Sequence, residues 1–126
     1  MESNMNYMNA LRGLGTLTHK KKHDCLYNRA HMDKYVYCLE EGLCALHSVS
    51  PGGRERIYQY FLPGDFVGFI PAYARTYPDD TFYAFSITAK SACTLYQIPY
   101  STFREFVEAH PDFYRWLFET AIAHYD

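Results

Sequence analysis

From Leu17 to Ile98 the chain is a succession of short apolar runs, each cut off by a turn signal. Period-two alternation of this kind suits half-buried strands. Leu17 to Tyr27 reads as two short strands around a basic turn at Lys20 to Lys22. Tyr35 to Leu39 is strongly β-forming, Glu40-Glu41-Gly42 turns the chain, and Leu43 to Val49 runs back. Ser50-Pro51-Gly52-Gly53 is a hairpin loop, and Arg54 to Leu62 is its second arm. On that arm Arg56, Tyr58, Tyr60 and Leu62 should share one face, and Ile57, Gln59 and Phe61 the other. Thr81 to Ala89 and Cys93 to Ile98 complete about eight short strands, a count that favours a sandwich or barrel.

Leu62-Pro63-Gly64-Asp65-Phe66-Val67-Gly68-Phe69-Ile70-Pro71 punctuates this pattern. Pro63-Gly64 predicts a tight turn, with Asp65 bonding backbone N–H groups two or three residues on. Gly68 would let the backbone bend or approach a ligand or a strand closely. Residues 72–80 read as a loop or one helical turn.

The last quarter changes period. Thr102-Phe103-Arg104-Glu105 fits a capping box, predicting a helix from there to about Ala109. Pro111 suits the first turn of a second helix, over 111–126. On it Phe113, Trp116, Leu117 and Ala121 share one face and Tyr114, Phe118, Ile122 and Tyr125 another. A surface helix ordinarily has one apolar stripe, so the first face should pack on the strands and the second needs another partner. Residues 1–14 read as a tail, frayed or briefly helical.

Size and charge narrow the class. The 126 residues make one domain, and a net charge of −2 argues against wholesale nucleic-acid binding by this segment. No apolar run is long enough for a signal peptide or a membrane span, which predicts a cytoplasmic protein. Cys25, Cys38, Cys44 and Cys93 lack the spacing of zinc or redox pairs, and three of them sit in apolar runs, as small core residues do. The aromatic content, 18% with 13 Tyr and 9 Phe, suits both half-buried strands and sites for flat organic ligands.

The order of motifs is specific. Pro63-Gly64-Asp65-Phe66-Val67-Gly68 is followed by Thr88-Ala89-Lys90-Ser91-Ala92-Cys93, then by Ile98-Pro99-Tyr100-Ser101-Thr102-Phe103 and Glu108-Ala109-His110-Pro111-Asp112. Over roughly residues 12–126 this resembles the cyclic-nucleotide-binding sensor domain of Crp/Fnr transcription regulators. The resemblance implies a mainly β fold, a double-stranded antiparallel β-helix of jelly-roll or cupin-like form with C-terminal helices. It implies a sensor domain over 15–126 that ends in the start of a dimerisation helix, a homodimer, and a DNA-binding helix-turn-helix not present in this sequence.

Two departures bear on the ligand. Nucleotide-binding members carry a glutamate after the glycine matched by Gly68, and here that residue is Phe69. They also carry an Arg-Ser or Arg-Thr pair, aligned here with Tyr83 and Ala84. A buried phosphate needs a cation or several N–H donors, so cyclic nucleotides are not the expected ligand. The resemblance places the pocket at Gly68, Phe69, Tyr73, Arg75, Tyr83, Ala84 and Phe85, with Tyr77 and Phe82 adding rings and Arg75 the loop's one cation. A small aromatic effector fits that lining. The dimer face would be Tyr114, Phe118, Ile122 and Tyr125.

No catalytic residue, metal or cofactor is expected. Cupin enzymes share the β-roll but hold a metal with a His-x-His pair, which His19, His23, His31, His47, His110 and His124 do not form. Cluster-bearing relatives need several N-terminal cysteines, and Cys25 is alone there. A metal-dependent cupin enzyme and a degenerate roll that only dimerises remain the alternatives.

Overall fold

The computed structural model describes residues 2–28, 34–68 and 85–123. Helix α1 spans Glu2–Gly13. The strands are β1 (Thr16–Lys20), β2 (Cys25–Tyr27), β3 (Tyr35–Glu41), β4 (Cys44–Val49), β5 (Glu55–Phe61), β6 (Phe66–Val67), β7 (Phe85–Ala89) and β8 (Cys93–Pro99). Helices α2 (Tyr100–Ala109) and α3 (Pro111–Ala123) follow. Two antiparallel four-stranded sheets result, in the orders β1-β8-β3-β6 and β2-β7-β4-β5. This is the mainly β roll with C-terminal helices that the sequence predicts.

The roll closes on its inner faces. Leu26, Tyr37, Leu39, Cys44, Leu46, Phe61, Val67, Ile87, Ala89, Cys93 and Leu95 form one core. Alternation makes β3 and β8 serve a second core as well. Tyr37, Leu39 and Leu95 face the roll, whereas Val36 and Ile98 join Met8, Leu11, Phe103, Val107, Phe113 and Leu117 beneath the helices. Residues 2–13 are therefore a packed helix, with Leu11 fully buried. Arg12 Nε also lies 2.8 Å from Glu40 Oε1 on β3, an ion pair outside hydrogen-bond alignment. The inner face of α3, Phe113 and Leu117, rests on this helical core that α1 and α2 share, and not on the roll alone.

Three local expectations change. The capping box does not form: α2 begins at Tyr100 with Pro99 at its N-cap and no side-chain cap. Strand β8 feeds straight into the helix, so Thr102 is already helical. The Tyr100 N–H instead donates to the Lys34 carbonyl at 2.9 Å. Asp65 bonds backward, accepting the Leu62 N–H at 2.8 Å, so it closes its turn from the far side. Ile57 leaves the inner face, because a bulge shifts the ladder from Leu46↔Gln59 to His47↔Ile57. Ile57 is accordingly 38% exposed.

Candidate functional site

The turn before β6 is clamped by its neighbour strand. Gly64 N donates to Leu39 O at 2.8 Å, and Leu39 N donates to Asp65 O at 3.0 Å. Gly64 takes φ +97°, a left-handed conformation that a side chain would strain. Two residues of β6 then pair with β3 at Tyr37↔Val67 and Cys38↔Phe66. Gly68 follows at φ +90°, and a Cβ there would lie 3.2 Å from the Tyr35 carbonyl. Both the bend and the close approach that the sequence suggests for Gly68 are present.

Of the pocket residues, Gly68 stands just past the edge strand of one sheet, and Phe85 opens β7 in the other, opposite Ser48. Phe69, Tyr73, Arg75, Tyr77, Phe82, Tyr83 and Ala84 lie outside the described residues, as do Tyr125 and the side chains of Phe118 and Ile122. Among the dimer-face residues Tyr114 is described and is 37% exposed. It borders a groove of about 440 Å³ with Val107, Glu108, Pro111 and Arg115.

The inner face of the β2-β7-β4-β5 sheet is laid out in rows by its register. Ala89, Cys44 and Phe61 form one row, Ile87, Leu46 and Gln59 the next, and Ser48 and Arg56 the third. The first row is wholly apolar. Gln59 breaks the second: it is 9% exposed, and its Oε1 has no hydrogen-bond partner among the described residues. A buried unpartnered carbonyl costs about 1–3 kcal/mol. Near the third row the Ser48 and Tyr58 hydroxyl oxygens lie 3.2 Å apart, and the Arg56 guanidinium sits 5.1 Å from the Tyr58 ring centroid. The wall therefore grades from apolar to polar along the strands. Alternation put Gln59 on the face of Phe61 in the sequence, but its missing partner is visible only in three dimensions.

On the other face His47 Nε2 is 2.6 Å from Thr88 Oγ1, and Nδ1 is buried without a partner among the described residues. Burial pushes the His47 pKa down, opposed by the charge of Glu55 and aided by that of Lys90. Lys90 itself donates to Glu55 at 2.6 Å and holds that carboxylate below its ordinary range. No group of three or more metal-ligating side chains gathers among the described residues. Cys38, Cys44 and Cys93 are buried, and Cys25 is exposed.

Residues 17–110 match the cyclic nucleotide-binding domain family. The transcriptional activatory protein AadR of Rhodopseudomonas palustris is 31% identical over 88 residues, covering 70% of this chain and 34% of that protein. The nitrogen fixation regulation protein FixK of Bradyrhizobium diazoefficiens is 28% identical over 109 residues, covering 86% of this chain and 43% of that protein. The chain thus spans less than half the length of either relative. Among solved structures, the c-di-GMP responsive global regulator CLP of Xanthomonas campestris superposes with a TM-score of 0.70 at 15% identity, covering 98% of this chain and 57% of that one. That likeness bears on the fold.

Proposed function

The chain belongs to the cyclic nucleotide-binding domain family, in the form carried by Crp/Fnr-type regulators, and from that premise we propose that it is the ligand-sensing and dimerisation domain of a transcription regulator. The observation that carries this reading is the sharing of β3 and β8 between two cores. Val36 and Ile98 sit under the helices, while Tyr37, Leu39 and Leu95 on the same strands line the roll. A ligand that displaces these strands from inside the roll shifts the seat of α2 and α3 without any intervening linker. That is the coupling a sensor requires. DNA contact would fall to a helix-turn-helix beyond these 126 residues. The reading includes no catalytic step, and it places the protein in the cytoplasm.

The effector in this reading is a small aromatic molecule and not a cyclic nucleotide. Phe69 stands where a ribose-gripping glutamate would be, and Tyr83 and Ala84 stand where the phosphate grip would be. A phenyl ring and a phenol offer a phosphate no compensating charge. Titration calorimetry with cyclic AMP and cyclic GMP tests this half of the proposal, with no saturable heat expected. Binding in the low micromolar range by either nucleotide refutes it. A thermal-shift screen of small metabolites tests the other half, and a chain stabilised by none of them acts in dimerisation alone.

A further inference from the structure

We propose that Gln59 is the recognition group of the sensor site, and that the effector is a neutral, flat, mostly apolar molecule that presents one O–H or N–H donor to the Gln59 amide oxygen. This narrows the sensor reading and rests on it. Gln59 pairs directly with Leu46 across the β4–β5 ladder, and Leu46 pairs in turn with Ile87. Its neighbours within the row are therefore hydrocarbon, and Phe61, two residues along the strand, is also in the core, while Ser48 and Arg56 form the row beyond. A roll that only had to pack would carry an apolar side chain at this position. Instead it buries an amide whose Oε1 meets no donor among the described residues. Buried polar groups are almost always paired, so an unpaired one on the inner face of the roll calls for an explanation, and a ligand's donor supplies one.

The chemistry of that atom selects the ligand class. A carbonyl oxygen accepts, so the complementary group is a hydroxyl, an amine or a ring N–H. A carboxylate or phosphate at the same point would set acceptor against acceptor in a low-dielectric interior, so charge of that sign is rejected there. The body of the molecule must satisfy Leu46, Ile87 and Phe61, so it is apolar. Facing sheets pack about 10 Å apart with side chains filling the space, so a body accommodated among them must be thin and flat.

Phenol and anisole serve as probes, because the two share a ring and an oxygen but only phenol donates. Their binding is measured by titration calorimetry on the wild-type chain and on Gln59→Met and Gln59→Leu. Phenol should bind the wild type more tightly than anisole by about tenfold or more, and both variants should lose that preference. Without ligand, Gln59→Met should melt a few degrees above the wild type, since the unpaired acceptor is gone and volume is kept. An amide held only for packing predicts a lower melting point. Equal binding of the two probes, tighter anisole, or a preference that survives in the variants overturns the donor assignment while leaving the sensor reading intact. Absence of binding by both probes also overturns it, and the sensor reading is then judged by the cyclic nucleotide titration and the metabolite screen.

Discussion

The thiols of Cys44 and Cys93 meet at 3.8 Å, although the two residues belong to different sheets. Cys93 Sγ also lies 3.4 Å from the Leu43 carbonyl oxygen. Burial, and next to it the proximity of Cys93, pushes the Cys44 thiol up to about 12. At neutral pH Cys44 is therefore a protonated thiol shut away from solvent. Cys25, at the surface, should react first with a thiol reagent, and Cys38, Cys44 and Cys93 should react only as the chain unfolds. Mass spectrometry after brief alkylation, with and without denaturant, reads this directly. Fast native labelling of Cys44 would contradict the closed seam.

The same seam makes Gly42 the least replaceable turn residue. It takes φ +103°, and a Cβ would lie 2.5 Å from the Ala92 carbonyl oxygen and 2.7 Å from Cys93 Sγ. Gly53 takes φ +84° with nothing within 4 Å of its Cβ position. Gly53→Ala should therefore cost only the backbone strain, about 1–2 kcal/mol. Gly42→Ala adds a collision with backbone and should cost more than about 3 kcal/mol. Urea melts of the two variants, run side by side, check the ordering.

His47 gives stability a pH dependence of known sign. Its folded-state pKa lies below the ordinary value of 6.5, chiefly through burial. Between the two values the unfolded chain binds the proton more readily, so stability falls as pH drops. The loss begins near the ordinary pKa and is complete below the folded one. Glu55 adds an acid-side dependence, because its folded pKa is depressed by the hydrogen bond from Lys90. Its contribution is present above the ordinary carboxylate range and fades only in stronger acid. Urea midpoints between about pH 7.5 and about pH 5.5 should thus fall for the wild type and stay flatter for His47→Gln. Equal slopes would mean that another group carries the effect.

Leu11 tests whether α1 is structural. A fully buried leucine in the shared helical core should cost about 2–5 kcal/mol when cut to alanine. A frayed tail would tolerate Leu11→Ala with no measurable change in the urea midpoint.

The strands were legible because tyrosine-rich alternation and glycine turns act locally, and β3, β4, β5 and β8 fall where the alternation puts them. What escaped were the effects decided by partners distant in sequence. Met8 and Leu11 look like isolated apolar residues in a polar segment until Ile98, Phe113 and Leu117 supply the other half of their core. The Thr102 cap gave way because Lys34, 66 residues earlier than Tyr100, satisfies the first helical N–H. The bulge that turns Ile57 outward depends on β4, not on β5 alone. At the candidate site, the turn at Gly64 and the tight approach at Gly68 were readable, whereas the unpaired oxygen of Gln59 was not, because a missing partner leaves no mark in the sequence.

The final helix carries the last prediction, a symmetric dimer. Phe113 and Leu117 are consumed by the helical core, and Tyr114, on another side of α3, is 37% exposed. Helical spacing in the sequence predicts Phe118, Ile122 and Tyr125 on the face of Tyr114. Each large apolar side chain brought out of water stabilises by roughly 1.5–3 kcal/mol, enough in sum to exceed the entropic cost of association. A twofold helix pair covers the stripe with a second copy of itself. Sedimentation should show the wild type associating with rising concentration, and the double substitution Phe118→Glu, Ile122→Glu should hold it monomeric. A wild type that stays monomeric at high micromolar concentration, or a variant that associates equally well, would place the interface elsewhere. In either case α3 could not be the element that relays a ligand held in the roll to a partner subunit.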